Sequence, residues 1–278
     1  MSKIILIETS TSLCSVALAE EGAITAYRES SSPKAHASLT AVFVQEVLAE
    51  RGLAPADCDA VCVSKGPGSY TGLRVGVSTA KGICFGSGKP LLAVGTLDTL
   101  VAQAEGEYKY IIPMIDARRM EVYSAVFEIA TSPAGTRNDA KQIRNGQNVI
   151  ARRESTWQSQ ITPTAPVIPS GPTVIPSEVE GSSGYTQITE TLPKIIDENS
   201  FAEYLEQGPC LFIGDGAGKC ADVIKHPNAH FCQCNPKASA MLSPAMKAYN
   251  EKRFEDVAYF EPFYLKEFVA TASKKKLF

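Results

Sequence analysis

The sequence of 278 residues contains no long hydrophobic run. Its first apolar stretch, residues 4–7, ends at Glu8 and is too short for the core of a signal peptide, although it suits a buried strand. No stretch approaches the ~18 apolar residues that cross a bilayer as a helix. The sequence therefore predicts a cytoplasmic protein that does not contact a membrane.

The sequence also lacks an excess of charge of either sign. Its 27 Lys and Arg residues nearly balance its 30 Asp and Glu residues, which leaves a net charge of −3. A chain with this balance is not by itself suited to binding the phosphate backbone of a nucleic acid. Hydrophobic residues make up 44% and charged residues 21%, as in ordinary globular proteins. At ~150 residues per domain, the length predicts two domains.

The eight cysteines lack the spacing of a disulfide framework or a zinc site. Most lie in apolar stretches, such as those around Cys62 and Cys84, where a free cysteine behaves as a small hydrophobic residue. Only Cys232 and Cys234 are closely paired, and neither a second pair nor a suitably spaced histidine follows them. We therefore expect reduced thiols and no metal site.

Motifs for nucleotide and nucleophile chemistry are incomplete. The Gly-Lys pairs at Gly88 and Gly218 lack the upstream glycine and the following Ser or Thr of a P-loop, and the sequence has no Gly-x-Ser-x-Gly elbow. His36 would need a second histidine four residues later to build a metal-binding helix, but Thr40 stands there. No catalytic residue is predicted.

The order of apolar and polar segments indicates two similar α/β units. A strand at residues 3–8 ends in an acid and is followed by a polar turn and a second strand at 13–19. The same order returns at 110–116 and 121–127. We predict an α/β fold of two duplicated lobes, the first at 1–107 joined by the C-terminal segment 257–278, the second at 108–256. The remaining predicted elements are strands at 23–28, 60–64, 91–94 and 210–213, and helices at 36–51, 71–85, 97–104, 201–207, 219–225 and 239–254.

Residues 130–184 interrupt this pattern. Five prolines between 163 and 176 disfavour both a helix and a central strand, so we predict an extended insertion in the second lobe. Its basic front half, together with Lys274–Lys276, could contact RNA or a protein partner. The alternative is a tolerated surface insertion without a function of its own.

The most informative motif is GPGSYTGLRVGVSTAK at residues 66–81. Gly-Pro-Gly predicts a tight turn, and Ser69 or Thr71 can cap the helix that follows. The free N–H groups of such a helix start could hold a phosphate or a partner's carboxylate, although a turn without a ligand is equally compatible with the pattern. Gly72, Gly76 and Ala80 recur every four residues, forming a smooth stripe for a helix of the same lobe or of another subunit.

This motif and three others resemble the TsaB (YeaZ) family: residues 5–11, 14–18 and 115–123 carry the rest of the similarity, which covers 3–128 and continues more loosely at 214–217 and 264–266. The resemblance implies an actin/Hsp70/sugar-kinase (ribonuclease H-like) fold. It also implies a subunit without catalysis of its own, needed for threonylcarbamoyl transfer to the adenosine next to the anticodon of ANN-decoding tRNAs. The implied partners are the catalytic homologue TsaD and the ATPase TsaE, with TsaC supplying threonylcarbamoyl-AMP. Alone, the chain would form a homodimer, and it would contact tRNA only indirectly.

The resemblance places the partner and homodimer contact on the helices of the first lobe. The residues assigned to it are His36, Leu39, Phe43, Ser69, Tyr70, Thr71, Gly72, Arg74, Gly76 and Ala80. A second set would face a nucleotide, with ATP or ADP at the subunit interface. It comprises Glu8, Thr9, Ser10, Asp116, Gly214, Asp215 and Gly216.

Two departures from related ATPases put ATP hydrolysis in doubt. Actin-like ATPases carry Asp at the end of the first strand, where this chain has Glu8, and the turn that follows contains no glycine. The His-x3-His metal motif of the catalytic homologue also lacks its second histidine here. The second function predicted from the sequence is nevertheless a small-molecule kinase or ATPase of the same clan.

Overall fold

A computed structural model describes residues 2–129 and 184–265 of the chain. The chain divides into one compact unit comprising Met1–Ala130 and Pro176–Phe278 and another comprising Thr131–Ile175. The second unit, almost all of the predicted insertion and Lys274–Lys276 lie outside the described residues. Within the described ranges, no helix is long and apolar enough to cross a membrane.

The described residues form twelve strands and six α-helices. The first half contains β1 (Lys3–Glu8), β2 (Cys14–Glu20), β3 (Ala23–Ser30), α1 (Ala35–Glu50), β4 (Ala60–Gly66), α2 (Tyr70–Ser87), β5 (Leu91–Gly95) and α3 (Thr96–Val101). The second half contains β6 (Tyr110–Asp116), β7 (Glu121–Ser124), β8 (Phe127–Ile129), β9 (Tyr185–Gln187), β10 (Leu192–Ile195), α4 (Ala202–Leu205), β11 (Cys210–Gly214), α5 (Ala217–Ala221), β12 (Ala229–Gln233) and α6 (Leu242–Asn250).

The first sheet has the strand order β3-β2-β1-β4-β5. The hairpins β1–β2 and β2–β3 are antiparallel, whereas β1, β4 and β5 run parallel. Ile4 and Leu6 face one side of β1, and Ile5 and Ile7 face the other, and all four are fully buried. A strand that is apolar on both faces must be covered on both faces, which places β1 at the centre of the lobe.

Helices cover both faces of this sheet. Helices α1 and α2 pack side by side on one face through Phe43, Val47 and Val77. Ser69 caps the start of α2 as predicted, because its Oγ accepts a hydrogen bond from the N–H of Gly72 at 3.3 Å. Gly88 ends the same helix in the left-handed conformation, with φ 67°.

The second sheet repeats the pairing of the first. Its main order is β10-β7-β6-β11-β12, while β8 pairs with β6 and with β9. The hairpin β6–β7 is antiparallel, as β1–β2 is in the first sheet. Strands β6, β11 and β12 are parallel, as β1, β4 and β5 are in the first sheet. Helix α3 lies between the two sheets, where Leu97 and Leu100 pack against Ile111 and Leu211. The duplication predicted from the sequence is therefore present in the topology.

Several element boundaries differ from the predictions. The predicted strand at 121–127 is divided into β7 and β8, and the short strands β9, β10 and β12 were not predicted. The predicted helix at 239–254 consists of a 3₁₀ turn at Ala238–Met241 followed by α6. Ala245 and Ala248 of α6 pack against Ile4 and Leu6, so this segment covers the first sheet, although the sequence had placed it in the second lobe. Small residues permit this close helix-on-sheet contact.

Candidate functional site

The acid at the end of β1 is enclosed by the first lobe. Glu8 is fully buried, and its Oε1 accepts hydrogen bonds from the N–H of Ser10 at 2.6 Å and the hydroxyl of Ser64 at 2.9 Å. Its Oε2 has no hydrogen-bond partner among the described residues. Burial raises the pKa of this carboxyl, because a charged form deep in the lobe loses its hydration.

The turn after β1 is covered by the start of helix α2. Thr9 and Ser10 are fully buried, and the N–H of Ser69 donates to the backbone oxygen of Ser10 at 2.6 Å. A Cβ atom on Gly68 would lie 2.3 Å from that oxygen, and one on Gly72 would lie 2.1 Å from the backbone oxygen of Thr9. Glycine is required at both positions because two segments of backbone are in contact. The helix start is thus occupied by the chain's own turn.

The C-terminal segment packs beside the start of α2. The ring of Tyr264 lies 4.7 Å from that of Tyr70, and the guanidinium of Arg74 lies 4.3 Å from the centre of the Tyr70 ring. Arg74 Nε also donates to the Tyr264 hydroxyl at 3.3 Å. Further back, the N–H of Phe263 donates to the backbone oxygen of Lys65 at 2.7 Å. These contacts leave the aromatic pair and Arg74 at the surface of the first lobe.

The corresponding acid of the second lobe is neutralised by a lysine. Asp116, at the end of β6, forms an ion pair with Lys219 of α5. The same ammonium donates to the backbone oxygens of Arg119 at 2.8 Å and Glu121 at 2.7 Å. The three oxygens use the three donors that an ammonium group has. Lys219 therefore occupies the position beside Asp116 that a bound cation would need.

The neighbouring loop 214–216 is closely packed. The carboxylate of Asp215 accepts a hydrogen bond from the N–H of Asp116 at 2.9 Å. The pKa of Asp215 is raised, first by burial and also by the nearby charge of Asp116. A Cβ on Gly214 would lie 2.2 Å from the backbone oxygen of Met114, so this backbone also lies directly against the next strand. Among the residues described, no group of three or more His, Cys, Asp or Glu side chains is arranged to hold a metal ion.

The exposed residues of α1 from Ala37 to Gln45 and of α2 from Ser78 to Gly86 carry no charge, although Glu46 and Glu50 of α1 and Arg74 of α2 are exposed beside them. Phe85 of α2 is 88% exposed and Val42 of α1 is 39% exposed. A Cβ on Gly82 or Gly86 would meet nothing within 4 Å, so both glycines face open space. We refer to the following residues as the α1–α2 outer face: Ala37, Ser38, Ala41, Val42, Gln45, Ser78, Gly82, Phe85 and Gly86.

Comparison with known proteins finds relatives of the first half of the chain. Residues 29–142, less than half of the chain, match the family model for TsaD, tRNA N6-adenosine threonylcarbamoyltransferase. The tRNA threonylcarbamoyladenosine biosynthesis protein TsaB of Escherichia coli (strain K12) is 35% identical over 131 residues, which are 45% of this chain and 55% of the relative. The protein of the same name from Bacillus subtilis (strain 168) is 35% identical over 125 residues, with the same shares.

The chain is similar to TsaB over its first half. The matched stretch spans about half the length of these curated relatives. A solved structure, YeaZ from Pseudomonas aeruginosa, matches 95% of this chain and 100% of its own, with a TM-score of 0.69 and 22% sequence identity. Together with the duplicated sheets, this match confirms the predicted actin/Hsp70/sugar-kinase class of fold.

The structure separates the predicted partner-interface residues into two groups. The helix residues Phe43, Gly72, Gly76 and Ala80 are buried in the first lobe, so the predicted glycine stripe packs against the chain's own turn. These four residues are enclosed by the chain's own first lobe, and their assignment to a partner contact stays a prediction. Ser69, Thr71 and Arg74 are exposed, whereas His36, Leu39 and Tyr70 are half-buried.

The nucleotide-facing set is also divided. Glu8, Thr9 and Ser10 are completely buried, and Gly214 and Gly216 are buried in the second lobe. These five residues do not line an open cleft. Only Asp116 is exposed, while Asp215 is half-buried.

Two residues that matter most to the site were not predicted. Lys219 was considered only as part of an incomplete P-loop, and its partner Asp116 lies 103 positions earlier in the chain. Phe85 was read as part of an apolar run. Its position on the side of α2 opposite to the buried Gly76 was the available signal for its exposure.

Proposed function

We propose that this chain is a subunit of tRNA threonylcarbamoyladenosine synthesis that acts by binding a TsaD-type catalytic partner. The similarity to TsaB and to the TsaD family supports the pathway. The enclosed acid Glu8 and the neutralised acid Asp116 support a role without catalysis, because acid–base or metal chemistry needs groups that a substrate can reach. TsaC and the ATPase TsaE would supply the remaining activities of the assembly.

The single observation that carries the binding role is the exposure of Phe85 on the α1–α2 outer face. An aromatic side chain that is 88% exposed on a folded surface loses the free energy of burial until another protein covers it. The surrounding Ala41, Ser78 and Gly82 are small, so helices of a partner can approach closely. Aromatic residues are also frequent energetic centres of protein interfaces.

The same surface provides the homodimer contact. A two-fold dimer uses one self-complementary patch on both copies, and a TsaD-type homologue with a related first lobe would present a similar patch. The homodimer and the heterodimer would therefore compete for Phe85 and its neighbours. The chain would reach tRNA only through the assembly, as its net charge of −3 suggests.

The decisive variant is Phe85→Glu, with Tyr259→Glu as the matched control. Tyr259 is 84% exposed and is not one of the residues of the α1–α2 outer face; its neighbours Ala258 and Phe260 accept hydrogen bonds from Lys81 of α2 through their backbone oxygens, so it serves as a control for a charge placed on an adjacent surface. We expect Phe85→Glu to weaken binding to the TsaD homologue by ~30-fold or more, the scale of an interface hot spot, and to abolish tRNA modification at low subunit concentration. Tyr259→Glu should leave both unchanged.

The measurement is affinity between the purified chains, followed by reconstitution with TsaC, TsaE and tRNA. Thermal unfolding must show that the Phe85→Glu chain remains folded. A folded Phe85→Glu chain with unaltered affinity and activity would refute this interface. Modification of tRNA by the chain without a TsaD homologue would refute the non-catalytic role.

We also propose that ATP or ADP, if the assembly holds it, lies at the subunit interface and is bound mainly by the partner. Within the described residues of this chain, the side chains at the ends of β1 and β6 are already engaged with Ser10, Ser64 and Lys219. The same contacts disfavour the second function, a small-molecule kinase or ATPase.

A further inference from the structure

A cavity of the second lobe contains two neighbouring thiols. It measures about 760 Å³ and is lined by residues of β11 and β12 and of the segments that follow α3 and β12. His230, Cys232 and Cys234 all line it, because alternate residues of an extended segment point to one side. Tyr108 closes another part of the wall, with its ring 5.4 Å from that of His230.

These two thiols are the accessible cysteines of the chain. The other six cysteines are buried, whereas Cys232 is exposed and Cys234 is half-buried. Burial raises the pKa of Cys234 to about 12, and the hydrogen-bonded neighbour Cys232 adds to the shift. Because Cys232 is the more exposed of the two thiols, it would react first with an electrophile in the cavity.

Cys234 also lies where the chain crosses from the second sheet to the first. The Gln103 amide, at the end of α3, donates to the Cys234 sulfur at 3.6 Å and to the backbone oxygen of Asn235 at 3.1 Å. Asn235 Oδ1 in turn accepts from the hydroxyl of Thr11 at 3.2 Å. Lys237 N–H donates to Gln103 Oε1 at 2.8 Å. The crossing is therefore fixed by contacts that begin at Cys234.

We propose that Cys232 and Cys234 form a site of reversible oxidation, at which a hydroperoxide closes an intramolecular disulfide. The Cys232 thiolate attacks the peroxide oxygen, the O–O bond breaks, and a sulfenic acid and one water or alcohol are formed. The Cys234 sulfur then attacks the sulfenic sulfur, the S–S bond forms, and a second water leaves with the Cys234 proton. Two thiols are oxidised and one peroxide is reduced. A dithiol reductant reverses the step.

We expect closure of this disulfide to displace the crossing segment. Residues two apart in a strand have Cα atoms ~6.6 Å apart, at the upper end of the range that a disulfide allows. Gln233, which lies between the two cysteines, is held in place because its side chain accepts from the N–H of Gly218 and donates to the backbone oxygen of Asp215. Cys234 is therefore the residue that moves, and it leaves the amide of Gln103.

The experiment treats the reduced full-length chain with a small excess of hydrogen peroxide. We expect the intact mass under non-reducing conditions to fall by two hydrogen atoms, peptide mapping to join Cys232 to Cys234, and the native thiol titre to fall by two. Dithiothreitol should restore all three values. Hydrogen exchange should become faster at residues 234–237 and 11–12 in the oxidised chain, because the contacts through Gln103 and Asn235 are lost.

The matched variants are Cys234→Ser and Cys84→Ser. Cys234→Ser should gain an oxygen at Cys232 without losing two hydrogens, whereas Cys84→Ser, which alters a buried thiol, should still form the disulfide. A covalent dimer through Cys232 in place of the internal link would overturn the proposal. So would a mapped peptide in which Cys232 and Cys234 remain separate after peroxide treatment.

Discussion

Glu8 is enclosed without a cation beside it, which makes it the residue with the clearest pH dependence. The groups that lower its pKa are Ser10, Ser64 and Thr9, none of them charged, and burial outweighs them. The folded state therefore keeps a proton that the unfolded state has already lost. Stability falls as the pH rises from the unfolded pKa near 4.5 through the raised folded pKa, at about 1.4 kcal/mol for each unit of elevation.

We predict that Glu8→Gln removes this loss. Glutamine keeps an oxygen that can accept from Ser10 and Ser64 but has no charge to bury. The difference in unfolding free energy between variant and parent should therefore increase in favour of the variant between pH 5 and pH 8, as measured by urea denaturation. The exposed Glu206→Gln serves as the control. A difference that stays constant over this pH range would show that Glu8 is already ionised in the folded chain at pH 5.

For single residues, the sequence predicts the chemical type of a side chain better than its exposure to solvent. It identified Glu8 and Asp116 as acids at strand ends, because each follows an apolar run and precedes a polar turn. It could not show that Lys219 reaches Asp116, since that ion pair joins residues 103 positions apart. It also could not show that Glu8 faces the interior, because a glutamate is rarely buried without a charged partner.

Helix α2 illustrates what spacing alone can determine about an element. The four-residue repeat of Gly72, Gly76 and Ala80 correctly places these residues on one side of the helix. Spacing does not identify the neighbour on that side, which proves to be the chain's own turn at Thr9. The strands β9, β10 and β12 were not predicted, for a related reason. They are short, largely exposed and stabilised by pairing with distant strands.

Two glycines of α2 should respond in opposite directions to alanine. In Gly72→Ala the added Cβ would meet the backbone oxygen of Thr9 at 2.1 Å, which a side-chain rotation cannot relieve, so we expect a loss of about 1–3 kcal/mol. In Gly82→Ala the Cβ points into open space, and the better helix propensity should add about 0.5–1 kcal/mol. Urea denaturation of both variants measures the difference. Equal effects of the two substitutions would contradict the orientation of α2.

Across the described residues, the two sheets share a topology, but the acids at the ends of β1 and β6 have different surroundings. In the first lobe the strand-end acid is buried beneath a turn that α2 covers, and in the second it is paired with a lysine of α5. The first lobe buries its carboxylate and the second neutralises a carboxylate that stays exposed, so neither offers a free carboxylate to a metal–nucleotide complex. Both arrangements also stabilise the hairpin that follows the acid, since Ser10 and the backbone of Glu121 take part.

We therefore predict that the chain alone does not bind Mg-ATP. To bind the metal, Asp116 would have to give up its ion pair with the Lys219 ammonium, which also donates to the backbone oxygens of Arg119 and Glu121. Glu8 could not bind the metal because it is fully buried. Isothermal titration with Mg-ATP should give no binding heat with the parent chain. Lys219→Met, which retains the apolar stem but lacks the ammonium, tests whether the lysine is the obstacle. Saturable heat with the parent chain would contradict this account and would restore the kinase or ATPase hypothesis.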